Sequence, residues 1–373
     1  MNDQARWYKK EIFMTNSKLK IFSPSKVTTD RNKLEAYLRG ERIYPTTIEL
    51  DLTQLCSRSC PICPHSVEKR PGLTLQLPFL ERLFGILGPH TPGLVLSGGE
   101  ATIVPHFPET LALAREKGFK QIAVISNGGN IHLPRVQDAL LEHATSLRIS
   151  LYDWHEYASE DFVETLRKIE ALRIRITREG SRLEIGASIL TRSDLNHRYE
   201  DVGLRALAAG VDWLYFLPYC VGWEDQRPVQ AGQTGVLEAI ERFRGIAPVG
   251  ANIQVPCERY STEPLYFEKL HGASFLIAVG ADGINYAGTE CKYEKEAALL
   301  DLHEYLEDDF LWHPQRVSRL NKMNSDNHSF VGTRHRPVLF SDHIQKIIDS
   351  RRKHKGEAAL KEPADHFSYA SII

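Results

Sequence analysis

The stretch TIELDLTQLCSRSCPIC (residues 47–63) decides the reading of this chain. Residues 47–53 read as a short, buried β-strand. Three cysteines, Cys56, Cys60 and Cys63, follow within eight residues. A loop of this length can turn all three sulfurs toward one centre. Two ligand chemistries fit such spacing. One is a [4Fe–4S] cluster, held by thiolates and left with one open iron when a fourth cysteine is absent. The other is a structural zinc site completed by His65.

Working outward, strands and helices alternate. After the first strand, residues 78–87 read as a helix opened by Pro78. Residues 93–98 read as a strand, and 107–118 as a helix ended by Gly118. Residues 121–126, 146–152, 182–190 and 211–219 read as further strands. Helices over 133–143, about 157–178 and 198–210 lie between them. Six strands alternating with helices imply parallel pairing through right-handed crossovers. The expected fold class is α/β, a partial (β/α)6 barrel. In such folds ligands sit at the C-terminal ends of the strands.

Those ends carry small, polar sequences. Ser97, Gly98, Gly99 and Glu100 follow the second strand. A glycine pair permits a backbone path closed to other residues and bares its polar groups, and Glu100 adds an acceptor. Ser126, Asn127 and Gly128 end the third strand, where Asn-Gly is also an ordinary turn.

A cysteine triad after strand one, GGE after strand two and SNG after strand three resembles the radical S-adenosylmethionine (radical SAM) superfamily. The resemblance covers about residues 47–220. Ile62 stands where that family often has an aromatic residue. The resemblance implies that Cys56, Cys60 and Cys63 bind three irons of a [4Fe–4S] cluster. SAM would occupy the fourth iron through its amino and carboxylate groups. Gly98, Gly99 and Glu100 would hold the SAM amino group, and Ser126 and Asn127 would lie near its ribose. Ser150 is a candidate for the ribose or carboxylate, and Arg192 for the carboxylate. A branched side chain at Gly99 is expected to spare the cluster and impair SAM cleavage. The implied chemistry is reductive cleavage of SAM to a 5′-deoxyadenosyl radical, which takes a hydrogen atom from substrate. The cofactor carries that chemistry, and the protein supplies position and a dry pocket.

The chain divides into an N-terminal extension (1–46), a core barrel (47–220) and a C-terminal extension (221–373). In the first, a helix is expected after Asp30, with Gly40 as its stop. In the last, 275–288 reads as a hairpin around Asp282-Gly283, and 341–354 as a surface helix. This part echoes the SPASM/Twitch domains of the same superfamily. Cys220, Cys257 and Cys291 lie there without a CxxC pair, and Gly288 stands where a ligand is expected. They are read as packing or reactive thiols rather than a second cluster. Asp153, Trp154 and His155 after strand four, and Tyr219, Trp223, Glu224 and Asp225 after strand six, are candidates for a substrate pocket.

The chain has 373 residues, 42% hydrophobic and 25% charged, as in soluble globular proteins. Its net charge of −2 gives no bulk drive toward nucleic acid or anionic membrane. No apolar run is long enough to span a bilayer, and the N-terminus does not read as a signal peptide. A cytoplasmic location is expected. The substrate is expected to be a small molecule, such as a sugar, nucleoside or natural-product precursor. A flavodoxin or ferredoxin is the expected reducing partner. Peptide-modifying and tRNA-modifying radical SAM enzymes, and a non-catalytic zinc module, are the alternatives.

Overall fold

The computed structural model describes residues 22–60, 63, 71–152, 160–219, 233–328, 331–354, 367, 369 and 371–372. His65, Asp153, Trp154, His155, Cys220, Trp223, Glu224 and Asp225 lie outside them.

The alternation read from the sequence is present. The strands are β1 (Thr47–Thr53), β2 (Gly93–Gly98), β3 (Gln121–Ser126), β4 (Ser146–Ser150), β5 (Glu184–Thr191) and β6 (Trp213–Pro218). Each is paired parallel to the next. The helices between them are α2 (Leu77–Leu87), α3 (Phe107–Glu116), α4 (Pro134–His143), α5 (Glu160–Glu179) and α6 (Tyr199–Ala208), after α1 (Arg31–Leu38) near the N-terminus. Asp30 caps α1 through Lys33 N, and Gly40 stops it at φ +80°.

The sheet extends past these six strands. β7 (Asn252–Gln254) adds parallel to β6, and β8 (Leu276–Val279) adds parallel to β1. β9 (Ile284–Tyr286) and β10 (Ala298–Asp301) follow antiparallel, giving the order β10-β9-β8-β1-β2-β3-β4-β5-β6-β7. Residues beyond 220 therefore complete both flanks of the core sheet. The expected hairpin is β8–β9, turned at Gly283 with φ +74°.

Alternation along β1 sets the two faces of this sheet. Ile48, Leu50 and Leu52 are fully buried in the main hydrophobic core, which α2 to α6 also supply. Glu49 and Asp51 point to the opposite face, into a cavity. Side chains from β1 to β6 all line that cavity, so the sheet curls around it.

The last helix departs from its expected place. α9 (Arg336–Lys353) follows α7 (Val236–Ile246) and α8 (Pro314–Lys322). Its first half is buried, with Val338, Leu339, Phe340 and Ile344 at 2% exposure or less. It packs with Phe22, Val27 and Leu34, which ties the N-terminal extension to the C-terminal one. Its later half, ending in Arg351, Arg352 and Lys353, is basic, which gives the segment the look of a surface helix in sequence. The C-terminal residues cross the N-terminal ends of the strands. Ser371 O accepts from Thr47 Oγ1 at 2.7 Å, and Ser371 N donates to Gln121 Oε1 at 2.7 Å. A Cβ at Gly93 would meet Ser371 O at 1.7 Å, so glycine is needed there.

Candidate active site

The cysteine loop is stapled at its base. Thr53 Oγ1 hydrogen-bonds Thr74 Oγ1 at 2.7 Å, and Gln54 N donates to Leu73 O at 2.8 Å. Above this, Cys56, Cys60 and Cys63 are half-buried and face one cavity of about 280 Å³. Gly98, Gly99, Ser126, Asn127 and Ser150 line the same cavity.

Two donors point at the Cys56 sulfur. Arg58 N lies 3.4 Å from Sγ and Asn127 Nδ2 lies 3.7 Å from it. Such donors stabilise a thiolate and tune a bound cluster. Among the described residues, no group of three His, Cys, Asp or Glu side chains is drawn together as a single-ion cage requires. A four-iron cluster takes each thiolate on a different iron and asks for a wider spread. Three thiolates facing one cavity are a donor set that suits a four-iron cluster.

The glycine pair has a second role that the motif alone did not show. A Cβ at Gly99 would meet Leu55 O at 2.1 Å, and one at Gly98 would meet Thr53 O at 2.4 Å. Gly99 N donates to Thr53 O and Glu100 N to Leu55 O, both at 2.8 Å. GGE is thus the seat of the cysteine loop. A branched side chain at Gly99 would dislodge that loop, so the expectation that the cluster is spared is revised.

Glu100 is 1% exposed and its carboxylate ties β2 to β3. It accepts from Thr102 Oγ1 at 2.6 Å, Thr102 N at 3.2 Å, Ser126 Oγ at 2.8 Å and Asn127 N at 2.6 Å. These four donors place it behind Ser126 and Asn127, as their support. Arg192 is outside the cavity lining and pairs with Asp194 at 2.6 Å, so the structure does not bring it to the triad.

The sequence reading missed the opposite wall. Glu49, Asp51, Arg148, Arg259, Glu290, Lys292 and Arg336 line the cavity too. Lys292, 2% exposed, lies 2.5 Å from Asp51 and 3.4 Å from Glu49, and Arg336 also pairs with Glu49. Burial pushes the Lys292 pKa down, but Asp51 and Glu49 outweigh it and raise it. Arg259 meets Glu290 at 3.1 Å. Burial pushes the Glu290 pKa up, yet Arg259, His335 and Arg336 hold it to about 2. Tyr293 Oη donates to Asp51 at 2.8 Å from a backbone at φ +72°. The available signal was alternation: charged residues at every second position of a strand that is otherwise apolar.

Cys257 is exposed, and Cys291 is buried in a separate apolar cluster, its thiol donating to Gly288 O at 3.3 Å. Burial raises the Cys291 pKa well above the usual thiol value. Cys291 therefore stands as a packed, neutral thiol.

The fold is similar to that of proteins solved with bound S-adenosylmethionine. SuiB from Streptococcus suis, solved with S-adenosylmethionine, superposes with a TM-score of 0.62 at 13% identity, covering 95% of this chain and 84% of that one. SuiB bound to the precursor peptide SuiA gives 0.54 at 11% identity, over 99% and 86%. The protein anSMEcpe, with bound AdoMet and the Kp18Cys peptide, gives 0.51 at 14% identity, over 82% and 99%. In sequence, 90 residues are 34% identical to a 7,8-dihydro-6-hydroxymethylpterin dimethyltransferase of Methanocaldococcus jannaschii. That match spans 22% of this chain and 18% of the relative. No family model matches the chain.

Proposed function

We propose that this protein is a radical SAM enzyme that takes a hydrogen atom from a small polar substrate. One observation carries the reading. The three cysteines, Gly98–Gly99 and Ser126–Asn127 converge on one cavity at the C-terminal ends of parallel strands, in a fold shared with proteins solved with SAM.

Cys56, Cys60 and Cys63 would hold a [4Fe–4S] cluster, and the backbone of Gly98 and Gly99, with Ser126, Asn127 and Ser150, would hold SAM. Bound there, the pair supplies one-electron cleavage of SAM and a carbon radical. Asn127 and the Arg58 amide steady the Cys56 sulfur. Glu100 orders Ser126 and the Asn127 amide. Ser371 is hydrogen-bonded to the starts of β1 and β3, and Ile372 joins the cavity lining. Tyr152 lies within electrostatic reach of both Arg148 and Cys63, which suits it to stand between SAM and substrate.

The ion-lined wall supports a small, polar and charged substrate. A peptide substrate is the second reading, supported by the peptides bound in the SuiB and anSMEcpe structures. A flavodoxin or ferredoxin would supply the electron. Among the described residues, no helix is long and apolar enough to cross a membrane. A cytoplasmic location remains the proposal.

The test is anaerobic reconstitution followed by iron, sulfide and 5′-deoxyadenosine assays with dithionite as reductant. About four irons through the triad and release of 5′-deoxyadenosine are expected. A colourless protein carrying one zinc would overturn the reading.

A further inference from the structure

The charged wall is almost self-neutralising, and the exception carries information. Three carboxylates, Glu49, Asp51 and Glu290, meet three cations, Lys292, Arg336 and Arg259, within ion-pair distance. A fourth cation, Arg58, sits on the triad side, hydrogen-bonded to Thr165 Oγ1 at 3.1 Å. Arg148 is left over. Its Nε is buried, and no described residue accepts a hydrogen bond from it. No carboxylate among the described residues pairs with it.

Its position is fixed by β4. Arg148, Ser150 and Tyr152 alternate onto the cavity face, and all three line the cavity. Arg148 is the deepest of them, about 7 Å below Ser150 along the strand. Beside it in the sheet stand Ile125 of β3 and Gly186 of β5, neither with a side-chain acceptor. The phenols of Tyr152 and Tyr215, which also line the cavity, lie within reach of its charge. Burial holds the Tyr215 pKa up at about 12, so that hydroxyl is neutral and able to donate.

A guanidinium carries five N–H donors and no acceptor; Arg148 is half-buried, and the cost falls on its Nε, which is buried with no acceptor among the described residues. Its planar fork matches a carboxylate or phosphate. We propose that Arg148 is the anchor for an anionic group of the substrate, a carboxylate or a phosphate, seated one layer below the SAM site and contacted also by the Tyr215 hydroxyl. This deepens the enzyme reading and rests on it for calling the bound anion part of a substrate. The binding itself is independent of catalysis.

The experiment uses reconstituted, SAM-loaded protein and two probes, inorganic phosphate and succinate, titrated by calorimetry. Arg148→Gln and Arg148→Lys are compared with wild type, and SAM affinity is measured separately by equilibrium dialysis. Wild type is expected to bind at least one probe. Arg148→Gln should weaken that binding about tenfold or more, the scale of a lost charged hydrogen bond. Arg148→Lys should recover part of it, and SAM affinity should move less than about twofold, below any such lost contact. The proposal is overturned if wild type binds neither probe, or if Arg148→Gln binds them as wild type does. It is also overturned if the loss falls on SAM alone, which would assign Arg148 to the methionine carboxylate. Loss of fold in both variants would make Arg148 structural and overturn it as well. Dithionite-driven 5′-deoxyadenosine release on the same samples tests the enzyme reading separately. Intact anion binding without that product would sink the chemistry and keep the anion site.

Discussion

The two sides of the cavity are built in opposite ways. The triad side comes from short loops, each at the end of one strand, with partners close in the chain or on the adjacent strand. Cys63 N bonds Cys60 O, Gly99 N bonds Thr53 O, and Glu100 bonds Ser126 on the neighbouring strand. The charged wall joins residues far apart in sequence. Lys292 and Asp51 are 241 residues apart, and Arg336 and Glu49 are 287 apart. The difference teaches that cofactor residues can be written as motifs, whereas substrate-facing residues depend on how the ends of the chain are folded back.

Breaking the triad side should have the largest effect. Replacing Cys56, Cys60 and Cys63 together by Ala is expected to leave an essentially iron-free protein. Cys257 is at the surface and Cys291 is in an apolar cluster, so neither is expected to hold iron. Iron and sulfide assays check this, and appreciable residual cluster would assign a ligand role to the C-terminal cysteines.

Gly99→Val should come next. The added carbons would collide with the Leu55 and Gln54 carbonyls, which lie 2.1 and 2.6 Å from an ideal Cβ. Cluster content and SAM cleavage are expected to fall together, because the cysteine loop loses its seat. Full cluster content with SAM cleavage lost would instead mean that Gly99 acts on SAM alone.

Acid should strike the other side of the molecule. His271, His328 and His335 all belong to the C-terminal extension and are buried. Burial is the first cause for each, and it lowers their pKa values to about 4, 3 and 4. A depressed histidine pKa means that the unfolded chain takes the proton first. The stability these groups contribute is therefore full above pH ~6.5 and falls as pH drops toward 4. Each should cost roughly 1.4 kcal/mol per pH unit in that window. Urea unfolding monitored from pH 7 to 4.5 checks this. A midpoint unchanged over that range would show that these histidines are not buried as described.

The smallest effect is expected from Lys292→Met, which leaves Glu49 with Arg336 alone and Asp51 with the Tyr293 hydroxyl. Removing one partner of a buried pair costs about 3–5 kcal/mol. Unfolding free energy should drop on that scale, while iron content and SAM affinity stay at wild-type levels. A loss of cluster in this variant would show that the two sides are coupled.

The amino-acid order alone determined the alternation of strands and helices, the parallel pairing, the three thiols and the loops facing them. These features depend on contacts within about 20 residues or between neighbouring strands, where periodicity, capping and turn chemistry act directly. Asp30, Gly40, Pro78 and Gly283 were legible for that reason. Tertiary structure decided the rest. It decided that β7 and β8 extend the core sheet, that the first half of α9 is buried, and that Gly98 and Gly99 yield to the Thr53–Leu55 backbone. It also decided that Glu49 and Asp51 face Lys292 and Arg336 rather than solvent, and that Arg148 lines the same cavity with no carboxylate partner among the described residues. The physical reason is that a buried charge has no local signature. Its cost is offset by a partner from any part of the chain, and only the folded arrangement brings that partner within reach.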